Sequence, residues 1–264
     1  PEEVAKWLSP KKGKALLTTG DRTTELTVEC AQVLPEDEIG GLEMNIQPRA
    51  HASFRRLIEV LRTEPPCLVF VNSRSDAETI ANRLQNMAPD VEIGVHHGSL
   101  AAETRQEMED KLRSGELAGL VCTSSLELGI DVGKIQRIIQ VKSPRSVDRM
   151  LQRVGRADHR LGGVGKGHLL SWDTDDIAES AVVGRRAMLG QIESIEWRQR
   201  PLSVAANQLV LMAHSFNAVA IDEATEILSN VAQFDGWIRN DTESILRVLA
   251  DSWILRFTPD PDEV

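Results

Sequence analysis

The sequence contains no tyrosine, and aromatic residues fill only 4% of its 264 positions. Nothing in the sequence accounts for that. Its three cysteines, Cys30, Cys67 and Cys122, are odd in number and widely spread, which excludes a small disulfide scaffold. Cys67 and Cys122 fall in apolar, strand-like runs and read as small core residues in a reducing cytoplasm. No CxxC pair exists, which points away from structural zinc, and no metal site is expected. His96-His97 read as contact residues rather than metal ligands. No apolar run approaches the roughly 20 residues of a membrane helix. The opening Pro1-Glu2-Glu3 is acidic where a secretory leader is basic, and it lacks Met, so a piece of a longer chain is expected. Without a leader, the sequon Asn240-Asp241-Thr242 carries no meaning. There is no G-x-x-x-x-G-K-[ST] either. Gly162–Gly167 comes closest, lacks the first Gly and the final hydroxyl, and reads as a turn before a strand.

What is present is a globular composition, 41% hydrophobic and 27% charged, with length for two domains. The 30 Lys+Arg and 40 Asp+Glu leave a net charge of −10, which argues against a nucleic-acid partner if charge is uniform. It is not uniform. Lys142 to Lys166 holds seven basic and two acidic residues, a local +5, whereas residues 222–264 carry a net −7.

From about residue 52 the pattern is regular. His51–Glu64 places Phe54, Leu57, Ile58 and Leu61 at helical spacing. Cys67–Val71 is a continuous apolar run after Pro65-Pro66, hence a buried strand. Helices are then predicted over 75–87, 101–112, 124–128, 146–154 and 174–188, and strands over 91–95, 118–122, 135–141 and 167–171. This alternation predicts a parallel sheet with helices on both faces, binding ligands at the C-terminal strand ends. Before it, Glu25–Val33 alternates partly and Pro35–Gly41 reads as a linker or turn. After Arg198-Gln199-Arg200-Pro201, three helices over 202–213, 222–230 and 242–255, with a possible final strand, resemble a winged-helix module. Trp237, Trp253 and Phe257 supply its aromatic bulk.

Four segments at the strand ends carry the chemistry. Asn72-Ser73-Arg74 offers a cap and a cation at a helix start, where free N–H groups attract phosphate. His97-Gly98-Ser99 includes a glycine that lets a ligand approach the backbone. Thr123-Ser124 leads to Glu127, matching the Ser-x-x-Glu capping box, and Gly129 sends Asp131 back toward the cleft. Gln152-Arg153-Val154-Gly155-Arg156 belongs to a stripe in which Arg145, Arg149, Arg153, Arg156 and Arg160 share one helical face. Val147, Met150, Leu151 and Val154 form the opposite, buried face. Few carboxylates lie nearby in sequence, and arginine suits the clamping of phosphate oxygens.

These segments, in this order and spacing, resemble motifs IV to VI of superfamily 2 helicases. The strings HHGSL, TSSLELGID and SPRSV…LQRVGRA…HR resemble the large helicase-related (Lhr) family of DNA helicases, over about residues 52–171 and more loosely beyond. The resemblance implies an α/β fold: a second RecA-like domain over 51–199, preceded by the end of a first motor domain and a linker over 1–50. A mostly α winged-helix domain, truncated, follows over 200–264. It implies half of an ATP-dependent, 3′-to-5′ DNA helicase. ATP with Mg²⁺ would be bound mainly by a first RecA-like domain that the sequence lacks. Partners would be that domain and single-stranded or partly duplex DNA, with RNA possible and no membrane. Arg156 and Arg160 would be arginine fingers. Gly129, Asp131, Gln152 and Arg153 would serve the nucleotide. Asn72, Ser73, Arg74, His97, Gly98, Thr123 and Ser124 would hold the nucleic-acid backbone.

Asp158 stands where the family usually has glycine, placing an acid between the two fingers. Asp222-Glu223-Ala224-Thr225 looks like an Asp-Glu box, but it follows motif VI and begins a helix whose dipole its acids complement. Two alternatives stay open: an RNA helicase domain, and a non-catalytic winged-helix DNA-binding module. The acidic C-terminal part favours bracing or protein contact over broad duplex binding.

Overall fold

The computed structural model describes residues 4–5, 23–127, 133–157, 164–194 and 198–258. Residues 23–194 lie in one compact unit and 198–258 in another.

The larger unit is a six-stranded sheet, all of whose pairings are parallel. Its strands are β1 (Thr23–Glu29), β2 (Cys67–Phe70), β3 (Ile93–His96), β4 (Gly119–Cys122), β5 (Arg137–Val141) and β6 (Val164–Leu170), in the order β1-β6-β5-β2-β4-β3. Parallel strands need helical crossovers and are covered on both faces, so central strands read as unbroken apolar runs. Thus β2 and β4 are buried at every residue. Successive side chains still point to opposite faces. Cys67, Val69 and Val71 pack in the core with Phe54, Leu57 and Leu61, whereas Leu68 and Phe70 pack with Leu112, Leu120 and Leu126. Each such Leu or Phe contributes roughly 1.5–3 kcal/mol relative to exposure. The covering helices are α1 (Pro35–Glu43), α2 (Pro48–Thr63), α3 (Arg74–Met87), α4 (Ala102–Ser114), α5 (Val147–Val154) and α6 (Thr174–Met188). Burial pushes the thiol of Cys67 up to about 12 and that of Cys122 higher still, so both are inert core residues.

The N-terminal expectation is corrected for residues 23–50, which are part of this sheet unit rather than a preceding domain and a linker. β1 pairs with β6 from Thr23↔Val164 to Glu29↔Leu170, and Ala31 and Ala50 join the core. Pro35–Gly41 is not a linker but most of α1. Pro35 sits in its first turn with Glu36, Asp37 and Glu38, which suit the positive end of the helix dipole. Asp37 is fully buried. It accepts hydrogen bonds from Leu34 N (2.8 Å) and from Arg55 Nη2 (2.9 Å), and meets His51 Nδ1 at 2.8 Å. Burial alone would raise its pKa, but Arg55, the Leu34 N–H and His51 outweigh that and hold it down at about 2. Gly40 makes room for this network, because a Cβ there would lie 2.2 Å from His51 Nε2.

β6 begins three residues before the expected Gly167. Of the glycines read as a turn, Gly165 and Gly167 serve close packing in β6 instead: a Cβ on Gly167 would lie 2.5 Å from Leu26 and 2.6 Å from Val154.

The connection from β2 to β3 runs toward one edge of the sheet and that from β5 to β6 toward the other. The chain therefore reverses between β2 and β5, where open α/β sheets place their binding crevice. Asn72 Nδ2, after β2, donates to Ser143 O, after β5, at 2.8 Å across that crevice.

The smaller unit holds α7 (Leu202–Phe216), α8 (Ile221–Ser229) and α9 (Arg239–Asp251) around Leu209, Leu228, Phe234, Trp237 and Leu246. Trp237 Nε1 donates to Thr242 Oγ1 at 2.9 Å and meets Phe234 edge-on. Two of the expected core aromatics are not in it: Trp253 is 95% exposed and Phe257 is exposed too. No strand occurs among the described residues 198–258. Asp222 and Glu223 lie in the first turn of α8, which has no side-chain cap.

Candidate functional site

Because the sheet is parallel, the loops after β2, β3, β4 and β5 all emerge on one edge. After β2, Ser73 caps α3: its Oγ accepts from Asp76 N at 3.0 Å and donates to Asp76 Oδ2 at 2.7 Å. Asn72 and Arg74 beside it are exposed. This is the cap and cation read from the sequence. After β3, Gly98 is exposed, and a Cβ there would meet no protein atom. After β4, Ser124 is exposed, Thr123 is half-buried, and Ser124–Leu126 forms one 3₁₀ turn.

His97 differs from expectation. It is buried, its Nε2 faces Glu78 Oε1 at 2.8 Å, and its Nδ1 accepts from Ser99 N at 3.3 Å. Both ring nitrogens are therefore used inside the chain, and His97 shapes the loop rather than meeting a ligand. His96 is buried likewise, between Ser125 Oγ (2.8 Å) and Glu109 Oε1 (2.9 Å). It ties the loops after β3 and β4 together.

The expected capping box at Ser124 does not form. Glu127 instead sends its carboxylate to Arg153, with Arg153 Nε donating to Oε1 at 2.7 Å and Nη2 to the same oxygen. Arg153 is only 2% exposed. Its Nη1 donates to Gln140 Oε1, and its guanidinium lies 4.9 Å from the Phe70 ring centroid. Burial pushes its pKa down and Glu127 counters that. Arg153 is thus a buried strut between the β4 loop and α5. The arginine stripe is broken at both ends as well. Arg145 precedes α5 and pairs with Asp176 and Glu179; Arg156 follows it. The expected shortage of carboxylates was local only: Glu127, Asp176 and Glu179 come from other elements.

Arg156 is half-buried, and its Nε donates to the carbonyl of Glu127 at 2.9 Å. Its two Nη groups have no partner among the described residues. Gln152 beside it is exposed. One residue with no local signal sets this arrangement: Glu193 accepts from Val147 N (2.8 Å) and Asp148 N (3.2 Å), capping α5 from 46 residues away. The Val147 N–H holds its carboxyl below the usual range. Gly129, Asp131, Asp158 and Arg160 lie outside the described residues. Among the described residues, no three His, Cys, Asp or Glu side chains are placed to hold a metal, and no helix is long and apolar enough to cross a membrane.

Residues 52–162 match the model of the helicase conserved C-terminal domain. The chain is 35% identical over 96% of its length to the ATP-dependent helicase Lhr-Core protein 2 of Thermococcus barophilus, of which it covers 29%. It is 36% identical over 75% of its length to the ATP-dependent helicase Lhr-Core of Sulfolobus acidocaldarius, covering 23%. Among solved structures, the helicase Lhr of Mycobacterium smegmatis bound to single-stranded DNA and AMP-PNP superposes with a TM-score of 0.84. That alignment has 33% identity and covers 94% of this chain and 32% of the other. The chain thus spans less than a third of the relatives it matches.

Proposed function

The chain belongs to the Lhr-type helicases of superfamily 2, as a C-terminal motor region, and on that premise we propose that it is the second RecA-like domain of an ATP-dependent DNA helicase. The observation that carries the reading is Arg156. It stands at the ligand edge of the sheet, fixed through Nε, with its Nη fork unpartnered among the described residues. That fork suits phosphate oxygens, so the residues present fit a nucleotide held mainly by a partner motor domain. When bound, ATP with Mg²⁺, held mainly by a first motor domain, would supply the phosphoanhydride bond whose hydrolysis drives movement. The chain's own part is to bring positive charge to the transferring phosphate, where an arginine finger is worth roughly 10³–10⁵ in rate. Glu127 and Arg153 position that finger, Gln152 supports its loop, and Glu193 anchors the helix that presents it. Arg160, Gly129 and Asp131 take the second finger and ribose-side roles by family resemblance.

Asn72, Ser73, Arg74, Gly98, Thr123 and Ser124 form the strand track on the same edge, so one domain meets both phosphate ligands. Contacts of this kind hold a strand without reading its sequence. The DNA-bound relative favours DNA over RNA, and the 3′-to-5′ direction follows the family. The three C-terminal helices are the helical part of a winged-helix module. These 264 residues alone hydrolyse no ATP on this reading.

The test is Arg156→Ala in the full-length protein. ATPase should fall by about 10³ or more while single-strand binding stays within a few-fold. An ATPase rate within three-fold of wild type would remove the finger assignment. Matched DNA and RNA tracking strands in the same unwinding assay decide the nucleic acid.

A further inference from the structure

The crevice between β2 and β5 contains a cavity of about 180 Å³ that shares only Asn72 with the strand track. Its walls include the aromatic rings of Phe54 and Trp172, 5.7 Å apart and tilted by 55°. Two cations line it and each lies over one of these rings: Arg83 5.8 Å from the Phe54 centroid, and Lys142 Nζ 5.4 Å from that of Trp172. Arg83 makes no ion pair among the described residues, whereas Lys142 Nζ lies 3.5 Å from Asp173 Oδ2. Asp76 also lines the cavity, and its Oδ2 accepts from Ser73 Oγ at 2.7 Å. Asn72 is held by its Nδ2 on Ser143 O, which leaves Oδ1 as a fixed acceptor. Lys142 itself has a left-handed backbone (φ 63), an arrangement kept where surrounding structure demands it.

A cavity of about 150 Å³ is known to hold benzene. This one therefore has room for a single six-membered ring. Aromatic walls, cations and a carbonyl acceptor together match a nucleotide, whose base stacks and whose phosphate seeks arginine or lysine. We propose that this cavity takes one unstacked pyrimidine base of the bound single strand, its phosphate lying against Arg83 and Lys142. The inference rests on the strand-binding reading above and adds to it a pocket for a base, where the track holds only backbone.

The test uses full-length protein and a set of oligo-dT strands, each carrying one abasic site at a successive position. Wild type should show a single position at which base removal weakens binding about 5- to 150-fold. In Arg83→Gln and in Trp172→Leu, both checked for unchanged melting temperature, that position-specific loss should shrink to near nothing. Equal, small penalties at every position would overturn the pocket while leaving the track intact. A penalty that persists unchanged in Arg83→Gln would overturn it too. Competition by free dTMP with no position-specific penalty would put a mononucleotide there and overturn the strand assignment. Wild type that binds no single strand at all would refute the motor reading itself.

Discussion

Glu127→Ala tests how the finger is held. In the folded chain Arg153 is 2% exposed, and its guanidinium is satisfied by Glu127, Gln140 and the Phe70 ring. Removing the carboxylate leaves a buried cation with only a neutral amide and an aromatic face. Breaking one side of a buried pair costs about 3–5 kcal/mol, because the remaining charge has lost both partner and water. At roughly 2–4 °C per kcal/mol for a unit of this size, the melting temperature should drop by about 6–20 °C. Arg153→Met should cost less, since Glu127 lies at the boundary of burial, 9% exposed, and can turn to water. The double variant Glu127→Leu/Arg153→Met should recover most of the loss, because replacing both charges removes the desolvation penalty that either leaves alone. Scanning calorimetry of the three variants is the assay. A Glu127→Ala loss under about 1 kcal/mol, or a double variant no more stable than Glu127→Ala, would falsify the claim that this pair is a buried strut.

Two further outcomes follow from other carboxylates. Asp37 is held at about 2 against an ordinary 3.8, so its charge contributes stability that is complete above about pH 5 and is lost as pH falls toward 2. That contribution is about 2 kcal/mol. Asp37→Asn should therefore flatten the fall in denaturation midpoint between pH 5 and 2, and an unchanged slope would show that the network does not titrate. Glu193→Ala should fray the start of α5, costing about 1 kcal/mol as other lost caps do. Amide exchange at Val147 and Asp148 should quicken while β2 stays protected, and equal exchange at all three sites would refute the cap.

Much of the sheet was legible because burial on two faces writes itself locally. Cys67–Val71 had to be apolar throughout and bounded by breakers, and no long-range knowledge was needed to read it. Ser73 as a cap was legible for the same reason, since it satisfies a donor three residues away. Helix α1 was misread because its signals, Pro35, three acids and two glycines, also describe a turn. What decides for helix is Asp37 meeting Arg55 and His51, 18 and 14 residues on.

The arginines show the same divide more sharply. Their spacing placed a basic strip at the ligand edge, and that much was a property of residues 142–166 alone. Which of them stay available was not. Arg145 is neutralised by Asp176 and Glu179, and Arg153 by Glu127, 26 residues before it. His97, equally, looks free in sequence and is spent on Glu78. Sequence by itself determined the alternating architecture, the strand-end segments and the family, because periodicity and short-range capping are local. Tertiary structure alone decided which charges remain for a ligand, because ion pairing depends on distance in space and desolvation depends on what the fold buries.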